Sequence, residues 1–358
     1  MGGEGLHKIL ESRGEGVAVY VSQEVGVSLG GSSARRVSVK IPKNKPRGFE
    51  IEHSILALGI EIPPALALPL RWRLELDHVA ISRELKPQFR SQLEETLYCR
   101  SLFDVKPLLS SQGRRLESAH AILRASFDAA HPIVLRDASM FSVYKKPGSK
   151  QYHSAIYYSG ALVAEPGSKL SFPAPSSSLE SSQSLACVTL LLPSSLSRVT
   201  LSSSLTSTTV EGPGFRVVEL PILSENDALM IEYHQSEMKF YPRKAVIADV
   251  VFMHNKLDAP KLSARVEKQE LSGSFLNLDV VVENPDYRSV DEVTVSIKHG
   301  AMTVKEVRLP KVEGESETHV AIPIDLSKIS IRPQRLVIKL EWVYEGVHLS
   351  SFTEIRLQ

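Results

Sequence analysis

The sequence predicts an all-β protein built of tandem β-sandwich domains, with at most minor helix. Three observations predict it. From Leu262 to Gln358, apolar and polar residues alternate through about seven short runs separated by turn residues, the pattern of a half-buried antiparallel sandwich. Leu70, Trp72, Leu74 and Leu76 alternate with Arg71, Arg73, Glu75 and Asp77, as in a strand with one wet face. Between residues 133 and 255, strand-like runs recur between turns at Pro147-Gly148, Pro166-Gly167 and Gly212-Pro213-Gly214, a spacing that suits a second sandwich.

Taken in order, Leu6 to Arg13 is a helix candidate ending at Gly14, or else a disordered terminus. A β pattern opens with Val17, Val19 and Val21, and Gly26 to Gly31 breaks it. Val37, Val39 and Ile41 alternate with Ser38 and Lys40. Phe49 and Ile51 lead into the apolar run Ile55 to Ile62, cut off by Pro63-Pro64. After the Leu70 strand, Asp77-His78 reads as a turn into Val79-Ala80-Ile81. Gln88 to Leu102 and Gly113 to Ala130 fit either helix or strand. Strand is favoured for Leu116 to Phe127, because the neighbours on both sides are β-rich.

The segment Phe103-Asp104-Val105-Lys106-Pro107-Leu108-Leu109, followed by Ala121-Ile122-Leu123-Arg124-Ala125, resembles the galactose-binding-domain-like jelly roll, such as the auxiliary domain of β-galactosidase-type glycosidases. The resemblance covers about a hundred residues. It implies a jelly-roll-like domain and a link to carbohydrate. Ser110-Ser111-Gln112-Gly113-Arg114 matches the glycine and asparagine that usually follow the leucines only in part. No catalytic barrel follows, so no glycosidase activity carries over.

In the central part the expected strands include Met140 to Lys145, His153 to Val163, Leu185 to Leu192, Phe215 to Leu220 and Ala245 to His254, with a solvated loop from Ser176 to Ser184. Asn255 to Pro260 is polar, short and ends in proline, as a domain boundary should. Beyond it, Leu276, Leu278, Val280 and Val282 face one way, and Asn284-Pro285-Asp286 turns the chain. This last part resembles immunoglobulin-like and fibronectin-like sandwiches in architecture, without the cysteine pair of antibody domains. The expected domains are 16–132 (jelly-roll-like), 133–258 (a central sandwich) and 261–358 (Ig-like).

At 358 residues the chain is long enough for two or three cores. Its net charge of +1 argues against a generalised nucleic-acid or membrane-surface binder. No apolar run is long enough for a membrane helix, and the N-terminus has no basic region followed by an apolar core, so a cytoplasmic location is expected. Cys99 and Cys187 lie far apart in β-like runs and read as buried free thiols. Asparagine is confined to Asn44, Asn226, Asn255, Asn277 and Asn284 beside 21 prolines, a composition that leans thermophilic.

No motif for catalysis, metal or cofactor emerges. The histidines form neither H-x-H nor H-E-x-x-H, the cysteines form no C-x-x-C, and G-x-S-x-G is absent. Gly30-Gly31-Ser32-Ser33 is followed by Arg35-Arg36 rather than by Lys-Ser or Lys-Thr, so it reads as a hairpin loop rather than a phosphate nest. The densest charge feature is Arg35, Arg36, Lys40, Lys43, Lys45 and Arg47, with no acid among them. It is a candidate contact for an acidic partner, against the plainer reading of a solvated strand and loop. Tyr158 and Trp72 are candidates for an aromatic sugar-binding platform. The expected role is a non-catalytic scaffold or protein-interaction subunit, with a protein partner or self-association and no cofactor. The alternatives are a carbohydrate-binding protein and an enzyme whose site is assembled from distant strands. Nucleic acid is disfavoured because the basic run carries no interleaved aromatic to stack bases.

Overall fold

The computed structural model of the chain describes residues 5–46, 48–66, 68–111, 119–148, 150–175, 183–222, 227–235, 243–299, 302–328, 335–344 and 347–357. Strands account for 73% of it and helix for 3%, which fixes the class as all-β. The chain divides into two compact units, 1–256 and 257–358.

Among the described residues, the first unit holds four antiparallel sheets. One runs β2 (Val17–Leu29), β10 (Ile133–Lys145), β4 (Glu50–Ile62), β8 (Leu97–Asp104), β7 (Phe89–Gln92). Its outer partner runs β3 (Arg36–Pro42), β9 (His120–Ser126), β5 (Leu70–Leu76), β6 (Val79–Leu85). Between these two lies a continuous apolar core that includes Leu29, Leu56, Leu58, Leu135, Ile41, Leu74 and Leu123. A third sheet runs β1 (Gly5–Glu15), β11 (Tyr152–Ala164), β18 (Ala245–Lys256), β13 (Gln183–Leu192), β16 (Gly214–Pro221). The fourth runs β12 (Lys169–Pro173), β17 (Ala228–Gln235), β14 (Ser197–Ser202), β15 (Ser207–Glu211). Tyr158 of β11 meets Phe172 of β12 with ring centroids 6.3 Å apart, so these two sheets form a second sandwich.

No boundary falls between residues 132 and 133. β10, which starts at Ile133, is hydrogen-bonded between β2 and β4 and is an interior strand of the first sheet. The first strands also serve both sandwiches. β1 pairs with β11, and β2, one residue later, pairs with β10. The switch occurs at Gly16, whose φ of +128° is open to glycine, and where a Cβ would stand 2.0 Å from the Tyr144 carbonyl oxygen. The helix expected over Leu6 to Arg13 is therefore an edge strand. Its register shifts between Lys8 and Leu10, and that bulge breaks the two-residue period and leaves Leu6, Ile9 and Leu10 at helix-like spacing. β2 likewise continues through Gly26, at φ +60°, where the register shifts, and the strand does not break there.

Asp77 and His78 both have positive φ, 48° and 71°, and close the β5–β6 hairpin as a tight two-residue turn. Gln88 to Leu102 becomes β7 and β8, and the strand expected over Leu116 to Phe127 is β9 where it is described. The Asp104-Val105 segment caps a short helix, α1 (Lys106–Ser111). Asp104 Oδ1 accepts from the Lys106 amide at 3.0 Å, and Leu109 is buried in the core. Cys99 and Cys187 are buried and form no disulfide with each other, and burial pushes the Cys99 thiol up to about 12. The loop expected from Ser176 falls for the most part outside the described residues.

The two inner sheets of this unit meet over polar groups. The guanidinium of Arg100 (β8), fully buried, bonds to Asp137 (β10) in its own sheet and to Asp249 (β18) in the other, and also to Ser139 and Ser159. Asp249 further accepts from Tyr20 at 2.8 Å, Tyr157 at 3.1 Å, Ser139 at 2.8 Å and Ser159. Asp137 accepts from Tyr98 at 3.1 Å. Burial raises the Asp137 carboxyl above its ordinary value, because the Arg100 charge does not fully offset it and Asp249 adds to the rise. Burial would push the Arg100 guanidinium down, but the two carboxylates outweigh it and hold it charged. Gly59 of β4 makes room for the cluster, since a Cβ there would lie 1.8 Å from Asp137 Oδ2. Farther along, the Asn255 side chain bonds both the amide and the carbonyl of Ala18, at 3.0 and 2.9 Å.

Among the described residues, the second unit is a seven-stranded sandwich, three strands on four. One sheet runs β19 (Ser263–Ser272), β20 (Phe275–Asn284), β23 (Ser316–Asp325). The other runs β22 (Met302–Val312), β21 (Val290–His299), β24 (Arg335–Tyr344), β25 (Val347–Arg356). Leu276, Leu278, Val280 and Val282 point inward, as their alternation predicts. Asn284 braces the following turn by donating to the carbonyls of Arg288 and Glu313 at 2.8 and 2.9 Å.

Candidate functional site

The outer face of the β3–β9–β5–β6 sheet is basic. Arg36 and Lys40 of β3 point outward while Val37, Val39 and Ile41 lean inward. Arg71 and Arg73 of β5 are exposed, with Trp72 and Leu74 buried beneath them. Strand register places Arg36 opposite Ser126 of β9, and Ser126 opposite Arg73. At the end of the sheet nearest these residues lies a cleft of about 670 Å³ lined by Arg35, Arg36, Arg71, Trp72, Arg73, Ser126, Phe127 and Asp128. Four arginines face one aspartate there.

Two of the arginines are neutralised. Arg35 stands 3.5 Å from Asp128, and Arg73 stands 2.5 Å from Glu75. Among the described residues, Arg36 and Arg71 have no carboxylate within ion-pair distance. Arg36 Nε donates to Ser126 Oγ at 3.3 Å, and Glu84, the cross-strand neighbour of Arg71, makes no ion pair with it. The floor is apolar: Trp72 and Phe127 are only 5% and 2% exposed and belong to the core. The nearby Gly30–Ala34 turn offers little to an anion, because the amides of Gly30, Gly31 and Ser33 already bond to the carbonyls of Ala34, Ala129 and Gly30. It is a closed turn that carries the chain from β2 in one sheet to β3 in the other, and not the hairpin loop expected from the sequence. What the cleft can do chemically is present guanidinium forks over a low-dielectric floor, which favours oxyanions.

Of the candidates read from sequence, Arg35, Arg36 and Trp72 come together here. Lys40 lies on the same face, farther along β3. Lys43 does not join them: its side chain is buried and ion-paired with Asp77 at 3.5 Å. Lys45 is half-buried, and Arg47 lies outside the described residues. Tyr158 faces the second sandwich, against Phe172, so Tyr158 and Trp72 build no exposed stacking platform. Arg71 and Arg73 were readable only as the wet side of a strand. Their signal was the alternation itself, which put two arginines on the face that the Arg36 strand also presents.

A second cleft, of about 580 Å³, is lined by Ser195, Leu196, Ser197, Arg198, Thr200, Glu211 and His234. Its charges cancel internally, with Arg198 paired to Glu211 at 3.2 Å and His234 beside Glu232 at 3.4 Å. Among the described residues no group of three or more histidine, cysteine, aspartate or glutamate side chains is placed to hold a metal ion, and no helix is long and apolar enough to cross a membrane.

Fold and site together define an all-β protein of several sandwiches with an arginine-rich cleft. No known family model matches the chain, and no curated protein matches it. Among solved structures it is similar to the β-glucuronidase of Ruminococcus gnavus in complex with N1-substituted uronic isofagomine, at 11% identity and a TM-score of 0.22. It is also similar to the same enzyme in complex with D-glucuronic acid, at 12% identity and a TM-score of 0.22. Each match covers 57% of this chain and 36% of the other, so the chain spans about a third of those structures.

Proposed function

We propose that this protein is a non-catalytic interaction subunit that receives an acidic partner protein on the basic face of its first sandwich. The observation that supports this reading is the pair Arg36 and Arg71, exposed and, among the described residues, without a carboxylate partner, in a cleft of four arginines and one aspartate. Arg198, by contrast, is paired with Glu211 of the same chain. Arginine is also over-represented at the centres of protein interfaces, where its fork binds carboxylates in two places at once. Charge complementarity of this kind sets partner choice and speeds encounter.

Affinity purification of the full chain from its native organism, with partner identification, tests the reading. The expected result is an acidic protein at stoichiometric yield that is lost on Arg36→Glu/Arg71→Glu and weakened by salt. Recovery of the same partner by the charge-reversed variant, or no stoichiometric partner at all, would overturn it.

A further inference from the structure

We propose that the arginine cleft is a site for a phosphate monoester, carried either on a small molecule or on the partner itself. The inference rests on the reading above and names the group the cleft selects. It starts from charge. Asp128 and Glu75 each offset one arginine, and two guanidinium charges, on Arg36 and Arg71, are left over in the same cleft. A single carboxylate balances only one of them. A phosphate monoester carries about −1.5 to −2 charges at pH 7 and three acceptor oxygens, enough for two guanidinium forks at once.

Geometry agrees. Arg36 and Arg73 flank Ser126 on successive hydrogen-bonded strands, so their Cα atoms stand two strand spacings apart, about 10 Å. Arg71 stands two residues from Arg73 on the same exposed face of β5, so the two unpaired guanidinium groups, on Arg36 and Arg71, reach the cleft from strands on either side of β9. Ser126 Oγ accepts from Arg36 Nε and keeps its own proton to donate to a ligand oxygen. Trp72 and Phe127 line the cleft from the core side, which lowers the local dielectric and strengthens each charge-assisted bond above them. The same two rings are turned inward, so nucleic-acid bases would find nothing to stack on, and phosphate in a nucleic-acid backbone is disfavoured. The volume suits a sugar-sized ester or one modified side chain with its neighbours.

The test uses the full chain carrying Trp342→Phe, in which Trp72 is the only tryptophan left and reports from the cleft wall. Probes are inorganic phosphate, glucose 6-phosphate, and a short peptide carrying phosphoserine or glutamate at one position, followed by fluorescence and calorimetry. The expected result is saturable binding of a monoester, at least tenfold weaker for Arg36→Ala and for Arg71→Ala, and at least tenfold weaker for the glutamate peptide. Arg124→Ala, on the same face outside the cleft, stays within twofold. Affinity also falls between pH 7.5 and 5.5 as the ester loses its second charge, whose pKa is about 6. The sugar ester and the phosphopeptide separate the two carriers.

Several results would overturn the proposal: no saturable response to any ester, equal binding of the glutamate peptide, or Arg124→Ala weakening binding as much as Arg71→Ala. Binding of free phosphate alone would also overturn it. A partner captured through Arg36 and Arg71 without ester binding would leave the interaction reading standing and this one refuted. Ester binding with no captured partner would do the reverse.

Discussion

Arg100 and Arg71 are the same side chain in opposite circumstances. Arg100 is fully buried between two sheets, with each of its three nitrogens bonded and two carboxylates facing its single charge. Arg71 is exposed on a sheet face whose carboxylates leave it alone. The difference teaches where charge serves structure and where it is left for something outside the chain. In the inner layer there is an excess of acid, held by phenols and hydroxyls from both sheets. In the cleft there is an excess of base, and among the described residues Arg36 and Arg71 have no carboxylate to take it up.

The largest effect should come from removing Arg100. Arg100→Met leaves Asp137 and Asp249 buried without a cation, and breaking a buried pair in this way costs about 3–5 kcal/mol. Asp137→Asn leaves one carboxylate to one guanidinium and should cost clearly less. Asp249→Asn, which strips bonds from Tyr20, Tyr157, Ser139 and Ser159 as well, should fall nearer to Arg100→Met. Urea unfolding followed through Trp72, in the Trp342→Phe chain, reads the first unit alone. If Asp137→Asn proves as damaging as Arg100→Met, the excess-acid account fails.

Next comes acid. His254 lies in β18, wholly buried, and neither ring nitrogen has a hydrogen-bond partner among the described residues. Burial lowers it to about 4. Its folded value lies below the ordinary 6.5, so the unfolded chain takes up the proton first as pH falls. The neutral imidazole's contribution is therefore complete above about pH 6.5 and is lost progressively down to about pH 4, for a total of roughly 3 kcal/mol. Unfolding midpoints of His254→Phe against wild type should converge or cross across that window. A parallel pH dependence in the two proteins would place the acid sensitivity elsewhere.

Gly59→Ala tests the same inner layer by volume. The new methyl group would meet Asp137 Oδ2 at 1.8 Å and the Tyr98 hydroxyl at 2.4 Å, and overpacking of this kind costs about 1–3 kcal/mol. Gly148, whose added Cβ would meet nothing within 4 Å but whose φ is +74°, is the control for backbone strain. The Gly59 variant should lose more in urea unfolding of the first unit.

The contrast also explains what could be read ahead of the structure. The alternation of Leu276 to Val282 and of Leu70 to Leu76 survives into the sheets unchanged, because each strand has one dry face and one wet face. The buried cluster was hidden by the same rule. Asp249 sits alone within Val246-Ile247-Ala248 and Val250-Val251-Phe252, and Arg100 stands within the run from Leu97 to Phe103. A lone charge in an otherwise apolar strand was the available sign, but its partners come from strands 37 to 229 residues away. The N-terminal strand was misread because one extra residue, at the bulge near Ile9, mimics a helical period. Lys43 left the basic run for a related reason: past the end of β3, its side chain turns inward to Asp77.

The smallest expected effect is the one that separates the two regions most sharply. Arg36→Ala and Arg71→Ala remove exposed side chains that hold no carboxylate, and surface changes of this sort stay within about 0.5 kcal/mol. Removing a like-charged neighbour should be mildly stabilising, since four guanidinium groups share the cleft with one aspartate. Salt should shrink that gain, because it screens exposed charges over about 8–10 Å. Midpoints of heat or urea unfolding for the two variants at low and high salt would check it. A loss comparable to that of Arg100→Met would mean that Arg36 or Arg71 holds the sheet together, and the cleft would then be structural rather than open to a partner.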